Sequence, residues 1–121
     1  YTVFTGNVWS FTVEPFAYPI ANVSVTSNAV SQNDTEPENT INGSGLNAKD
    51  QHSMESSDMW LASPNGTDPM QIEYAFDRVY KLYDMLVWNY NIQFEPMLGL
   101  GIKNVTLEYS EDGATWISLG D

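Results

Sequence analysis

Hydrophobic positions in the last third of the chain follow strand periodicity. Over residues 103–109, Val105, Leu107 and Tyr109 alternate with Asn104, Thr106 and Glu108, the period of two that sends successive side chains to opposite faces of a β-strand. Ser110-Glu111-Asp112-Gly113 follows, a tight turn in which Asp-Gly accommodates positive φ, and Trp116-Ile117 opens a returning strand. The pattern predicts a β-hairpin with Val105, Leu107, Tyr109 and Trp116 buried. Residues 71–76 alternate in the same way, with Ile72, Tyr74 and Phe76 set against Gln71, Glu73 and Ala75. The run 79–88 is apolar on both faces, which predicts a central strand rather than an edge.

Upstream, a strand is expected over 20–26, and residues 27–69 form a long polar region rich in Ser, Asn, Asp and Gly. Loops of that length in a compact domain are functional or held by ligands, and short strands are expected to interrupt this one near Met59 and Leu61. Residues 1–14 read as a strand of their own, with Trp9, Phe11 and Val13 on one face and Ser10, Thr12 and Glu14 on the other. Pro15 and Pro19 end it, because proline donates nothing to a ladder. No helix of any length is expected, so the fold class is all-β, an antiparallel β-sandwich.

Charge and composition narrow the function. Sixteen acidic against four basic side chains give a net charge of −12 in 121 residues, and binding a polyanion needs clusters of Lys and Arg that this chain lacks. Nucleic acid is excluded as a partner. The same charge opposes adsorption on an anionic membrane, and no apolar run reaches the ~20 residues needed to span a bilayer. No cysteine is present, which removes disulfides and thiolate chemistry. Asn-x-Ser/Thr sequons begin at Asn22, Asn33, Asn42, Asn65 and Asn104, candidate glycosylation sites. No signal peptide is visible at Tyr1, and the chain is expected to be a piece of a longer or processed product.

Catalysis has little support, since His52 is the only histidine and no serine sits in a Gly-x-Ser-x-Gly setting. The chain is therefore expected not to be an enzyme. A carbohydrate site needs an aromatic face for the apolar side of a pyranose, with amides and carboxylates for its hydroxyls. Trp88-Asn89-Tyr90-Asn91, with Gln93, Phe94 and Glu95 just beyond, concentrates those groups where the apolar run gives way to a loop.

Tyr109-Ser110-x-Asp112-Gly113-x-x-Trp116 resembles the penultimate hairpin of discoidin domains, the galactose-binding-like jelly rolls of coagulation factors five and eight and of many bacterial carbohydrate-binding modules. Asn39-Thr40-Ile41-Asn42-Gly43-Ser44-Gly45-Leu46, followed by Asp50-Gln51-His52-Ser53 and Met59-Trp60-Leu61, resembles a subgroup found in secreted bacterial surface proteins. Gly6-Asn7-Val8-Trp9-Ser10-Phe11-Thr12 resembles the closing strand of a fibronectin type III-like domain. The resemblance implies a partition into residues 1–15 as a strand of a preceding domain or an exchanged strand, 16–20 as a linker, and 21–121 as a discoidin-like sandwich lacking its final strand or strands. It implies a non-catalytic glycan-binding module, extracellular or on the cell surface, whose ligand loops lie at one end of the sandwich. Trp88, Asn89, Asn91 and Glu95 would sit on one such loop and His52 and Glu55 on another.

Hard cations take clustered carboxylate and carbonyl oxygens on irregular loops, and relatives often hold a structural calcium at an Ala-x-Asp-Gly loop. Here Asn42, Asp50 and Asp58 would be the local groups, with the uncharged Asn42 where relatives carry Asp. The alternative expectation is a structural subunit of an extracellular assembly, its copies joined by strand exchange through residues 1–14.

Overall fold

The computed structural model describes residues 17–120; the expectations for residues 1–14 lie outside them. The architecture is all-β and antiparallel, with helix confined to single turns. β1 (Val23–Ser27) pairs with β4 (Ile72–Phe76), β2 (Val30–Ser31) with β3 (Ala62–Ser63), and β5 (Leu107–Tyr109) with β6 (Ile117–Gly120). These ladders share no strand. No helix of the described residues is long and apolar enough to cross a membrane.

The β1–β4 ladder organises the first half. Val25 faces Tyr74 and Ser27 faces Ile72, so the inward positions of both strands fall on one side, as the alternation of 71–76 requires. The ladder is extended by side chains beyond its last paired residues. Ser27 Oγ donates to the Gln71 carbonyl at 2.6 Å, while Asn28 donates through Nδ2 to Pro69 O at 3.0 Å and accepts the Gln71 N–H at 2.8 Å. An Asn amide thus takes the place of a backbone pair. Beside β1 runs the 3-10 turn Pro37–Thr40, whose Thr40 hydroxyl receives the Tyr74 phenol at 3.2 Å.

The core is small. Among the described residues, Val25 and Met59 are the buried apolar ones and Thr35, at 4% exposure, the buried polar one. The Thr35 hydroxyl lies 3.0 Å from Gln32 O and 2.9 Å from Leu61 O, and Trp60 Nε1 donates to Ser31 Oγ at 3.2 Å. These bonds fasten β2 and β3 to the loops around them, in the region where short strands were expected.

The hairpin forms as the sequence predicts, around Gly113 at φ 70°. Asp112 Oδ1 accepts the N–H groups of Thr115 at 2.7 Å and Ala114 at 2.9 Å and the Ser110 hydroxyl at 2.9 Å. Those bonds, the Thr115 N–H first, hold its carboxyl far below the ordinary carboxylate range.

Two expectations are corrected. Val105, Leu107, Tyr109 and Trp116 are exposed, Leu107 by 43%, because no second layer among the described residues covers β5–β6 and a two-stranded hairpin has no interior. The run 79–88 forms no strand; its apolar side chains stand in solvent, Leu86 by 69%. A both-faces-apolar run becomes a central strand only with a neighbour on each side. Among the described residues, none of the three ladders β1–β4, β2–β3 and β5–β6 takes in 79–88. A smaller difference is helical: Glu95–Leu98 makes one α-turn, begun by Pro96 and ended at Gly99.

Replacing Asn28 with Ala removes two of the three side-chain bonds that extend the β1–β4 ladder and leaves that of Ser27. The expected loss is about 1–2 kcal/mol by urea denaturation, with amide exchange at Gln71 accelerated ahead of that at Val25.

Candidate functional site

The loops over 42–58 and 88–102 meet, and each is built by side chains that bond to backbone. In the first loop, Asp58 is the hub. Its carboxylate accepts the Ser53 hydroxyl at 2.5 Å and the Ser44 hydroxyl at 3.0 Å, while Ser53 N–H donates to Gly45 O at 2.9 Å. Gly45 stands at φ 71°, and a Cβ there would lie 2.9 Å from both Asp58 Cβ and Ser53 Oγ, so only glycine fits. The hydrogen bonds from Ser53 and then Ser44 hold the Asp58 carboxyl below its ordinary value of 3.8, against some desolvation and with a smaller contribution from His52. Asn42 Oδ1 takes the Ser44 N–H at 2.7 Å, and Asn47 Oδ1 takes those of Lys49 at 2.8 Å and Gln51 at 3.2 Å. These Asx bonds shape a loop whose regular structure is limited to the Leu46–His52 bridge and the 3-10 turn Ser56–Asp58.

In the second loop, Asn89 closes a span of fourteen positions onto Ile102. Its Nδ2 donates to Ile102 O and its Oδ1 accepts Ile102 N–H, each at 2.9 Å. Glu95 Oε1 accepts Gly101 N–H at 2.6 Å, while Oε2 is buried without a partner among the described residues. Desolvation, followed by the Glu95 charge, raises the Tyr90 phenol above its ordinary value.

One bond joins the two loops directly: Trp88 Nε1 donates to the Asp50 carbonyl at 2.8 Å. Asn91 N–H reaches Met59 Sδ at 3.2 Å, anchoring the second loop to the core. Trp88 keeps 38% of its surface exposed. His52 Nδ1 lies 2.9 Å from Ser53 O; a carbonyl only accepts, so Nδ1 is the donor there, and Nε2 makes no hydrogen bond among the described residues. Glu55 and Asn91 bond through their backbone N–H groups, which leaves their side chains facing solvent.

The expected ligand residues therefore divide by use. Trp88, His52, Glu55 and Asn91 keep groups to offer, whereas Asn89 and one oxygen of Glu95 are spent on holding the loop. Sequence patterning gave no sign of that division, nor of Ser44 and Ser53 as hydroxyl donors; the glycines at 45 and 101, each pressed against these side chains, are the signal it carried. Of the expected calcium groups, Asp58 is engaged by two serines, Asn42 by Ser44 N–H, and Asp50 stands exposed at φ 55°. Among the described residues, no group of three or more His, Asp or Glu side chains is placed to hold a metal ion. A separate cavity of about 420 Å³ lies between β1, β2 and the Pro37–Thr40 turn, lined in part by Ser27, Ser31, Glu36 and Glu38, away from every expected ligand residue.

The sequons differ as well. Asn22 Nδ2 donates to Asp77 at 3.2 Å and Asn42 Nδ2 to Asn39 at 3.4 Å. The Thr35 of the Asn33 sequon is buried. All five sequon asparagines are themselves exposed. Compared with protein-family models, curated proteins and solved structures, the chain matches none of them.

Because the folded Asp58 carboxyl titrates below 3.8, its contribution to loop order is complete above that pH and is lost as the pH falls through the depressed value. Amide resonances of Ser44 and Ser53 are expected to follow one titration below pH 3.8, and Asp58→Asn should abolish it.

Proposed function

We propose that the chain is a non-catalytic carbohydrate-binding module of an extracellular protein, built on a β-sandwich frame, with its contact surface on the loops over 50–55 and 88–95. The observation that carries this reading is the Trp88–Asp50 bond, which sets an exposed indole against the loop of His52 and Glu55. A pyranose presents an apolar face and a rim of hydroxyls; the first suits an indole, the second a set of acceptors and amides. Trp88 supplies the ring. The Asn91 amide, the Glu55 carboxylate and His52 Nε2 supply the polar partners, while Asn89 and Glu95 hold the loop in shape. With a net charge of −12, the ligand is a neutral glycan, since an acidic polysaccharide is repelled at long range.

A second reading follows from a different observation. The apolar surface of 79–88 and of β5–β6 stands in solvent, and exposed apolar patches of this extent mark association. A structural subunit that assembles with neighbouring domains or copies of itself would cover those faces.

Binding to a panel of neutral oligosaccharides separates the two. Asn91→Ala is expected to weaken binding roughly tenfold while changing stability by less than about 0.5 kcal/mol, because an exposed amide supports little of the fold. Trp88→Phe, which keeps an aromatic face and loses the N–H, is expected to weaken binding less than Trp88→Ala. A folded chain that binds no glycan and sediments as a self-associated species would replace the module reading with the structural one.

A further inference from the structure

The chain contains two Asn-Gly dipeptides, Asn42-Gly43 and Asn65-Gly66. In such a pair the missing side chain lets the glycine backbone nitrogen reach the asparagine Cγ. Attack forms the N–Cγ bond of a succinimide and expels Nδ2 as ammonia. Water then opens the ring at one of its two carbonyls, giving aspartate or isoaspartate. Water is the sole co-reactant, and nothing is oxidised or reduced.

The structure separates the two dipeptides sharply. The Asn42 side chain is held at both ends, with Oδ1 accepting Ser44 N–H at 2.7 Å and Nδ2 donating to Asn39 Oδ1 at 3.4 Å. Ser44 is fixed in turn by Asp58. Rotating the Asn42 Cγ toward Gly43 N breaks these bonds. Asn65 lies in the exposed segment 64–71 between β3 and β4. Within 64–68 no hydrogen bond engages a side chain or backbone N–H among the described residues; the space around the glycine is open in both pairs, so the hydrogen bonds of the asparagine side chain are what set them apart.

We propose that Asn65 is a self-modification site, at which the Gly66 nitrogen converts the side-chain amide to aspartate and isoaspartate while the fold protects Asn42. The product carries one more negative charge in the β3–β4 connection, and its isoaspartyl form lengthens the main chain there by a methylene. It also loses the amide nitrogen through which the Asn65 sequon would take a glycan, so the two modifications exclude each other.

The test is incubation of the full chain in mildly alkaline buffer, with peptide mass spectrometry locating the amide-to-acid mass change and an isoaspartyl methyltransferase reporting the isoaspartyl product. Asn65 is expected to convert roughly tenfold faster than Asn42 in native buffer, the factor that one or two hydrogen bonds supply. In concentrated urea the two rates should converge. Asn65→Gln should abolish the fast phase and leave the slow Asn42 conversion unchanged. Equal native rates, Asn42 reacting first, or an unreacted Asn65 would overturn the proposal. A tenfold difference that persists in urea would also overturn it, since local sequence rather than the fold would then set the rates.

Discussion

Residues 23–76 hang on the β1–β4 ladder. It joins residue 23 to residue 76, and the entropy of closing so long a loop must be met before any contact inside it is rewarded. The closure is tightened by Ser27 and Asn28, whose side chains bond the backbone of Gln71 and Pro69. With the loop closed, β2 and β3 can pair, the Thr35 hydroxyl can reach Leu61, and Asp58 can collect Ser44 and Ser53.

Side chains do much of what ladders do in larger sheets. Asn28, Asn39, Asn47 and Asn89 each bond backbone groups at a distance or around a turn, and Asp58 and Asp112 gather hydroxyl and N–H donors around ionised carboxylates. An amide matches the donor and acceptor of a peptide unit, so Asn can satisfy backbone that no strand adjoins. The abundance of Asn and Asp is thus structural before it is chemical. It also leaves the ligand face with fewer free groups than its composition offers, because Asn89 and Glu95 Oε1 are already engaged.

The apolar surface has the opposite character. Val79, Leu82, Met85, Leu86 and Val87 are more than half exposed, while Val25, Met59 and a hydroxyl-bonded Thr35 are the buried residues among those described. Burying such side chains is worth about 1.5–3 kcal/mol each, and whatever covers them gains that energy.

Local chemistry was legible in the sequence. The Asp112-Gly113 turn and the alternation of Ile72 and Tyr74 appear in the structure, and the short strand expected near Met59 and Leu61 lies just beyond, at Ala62–Ser63, because turn residues and a period of two act over a few neighbouring positions. Partnership was not legible there. Residues 79–88 carry a central strand's pattern and form no strand, and Leu107 alternates as a core residue and stays exposed, since burial depends on what the rest of the chain brings alongside. At the loops, residue types marked Trp88, Asn91 and His52 as groups suited to a sugar. Only tertiary structure set Trp88 on the Asp50 carbonyl and committed Asn89 to Ile102, because a side chain's free valences are decided by the distant backbone it meets.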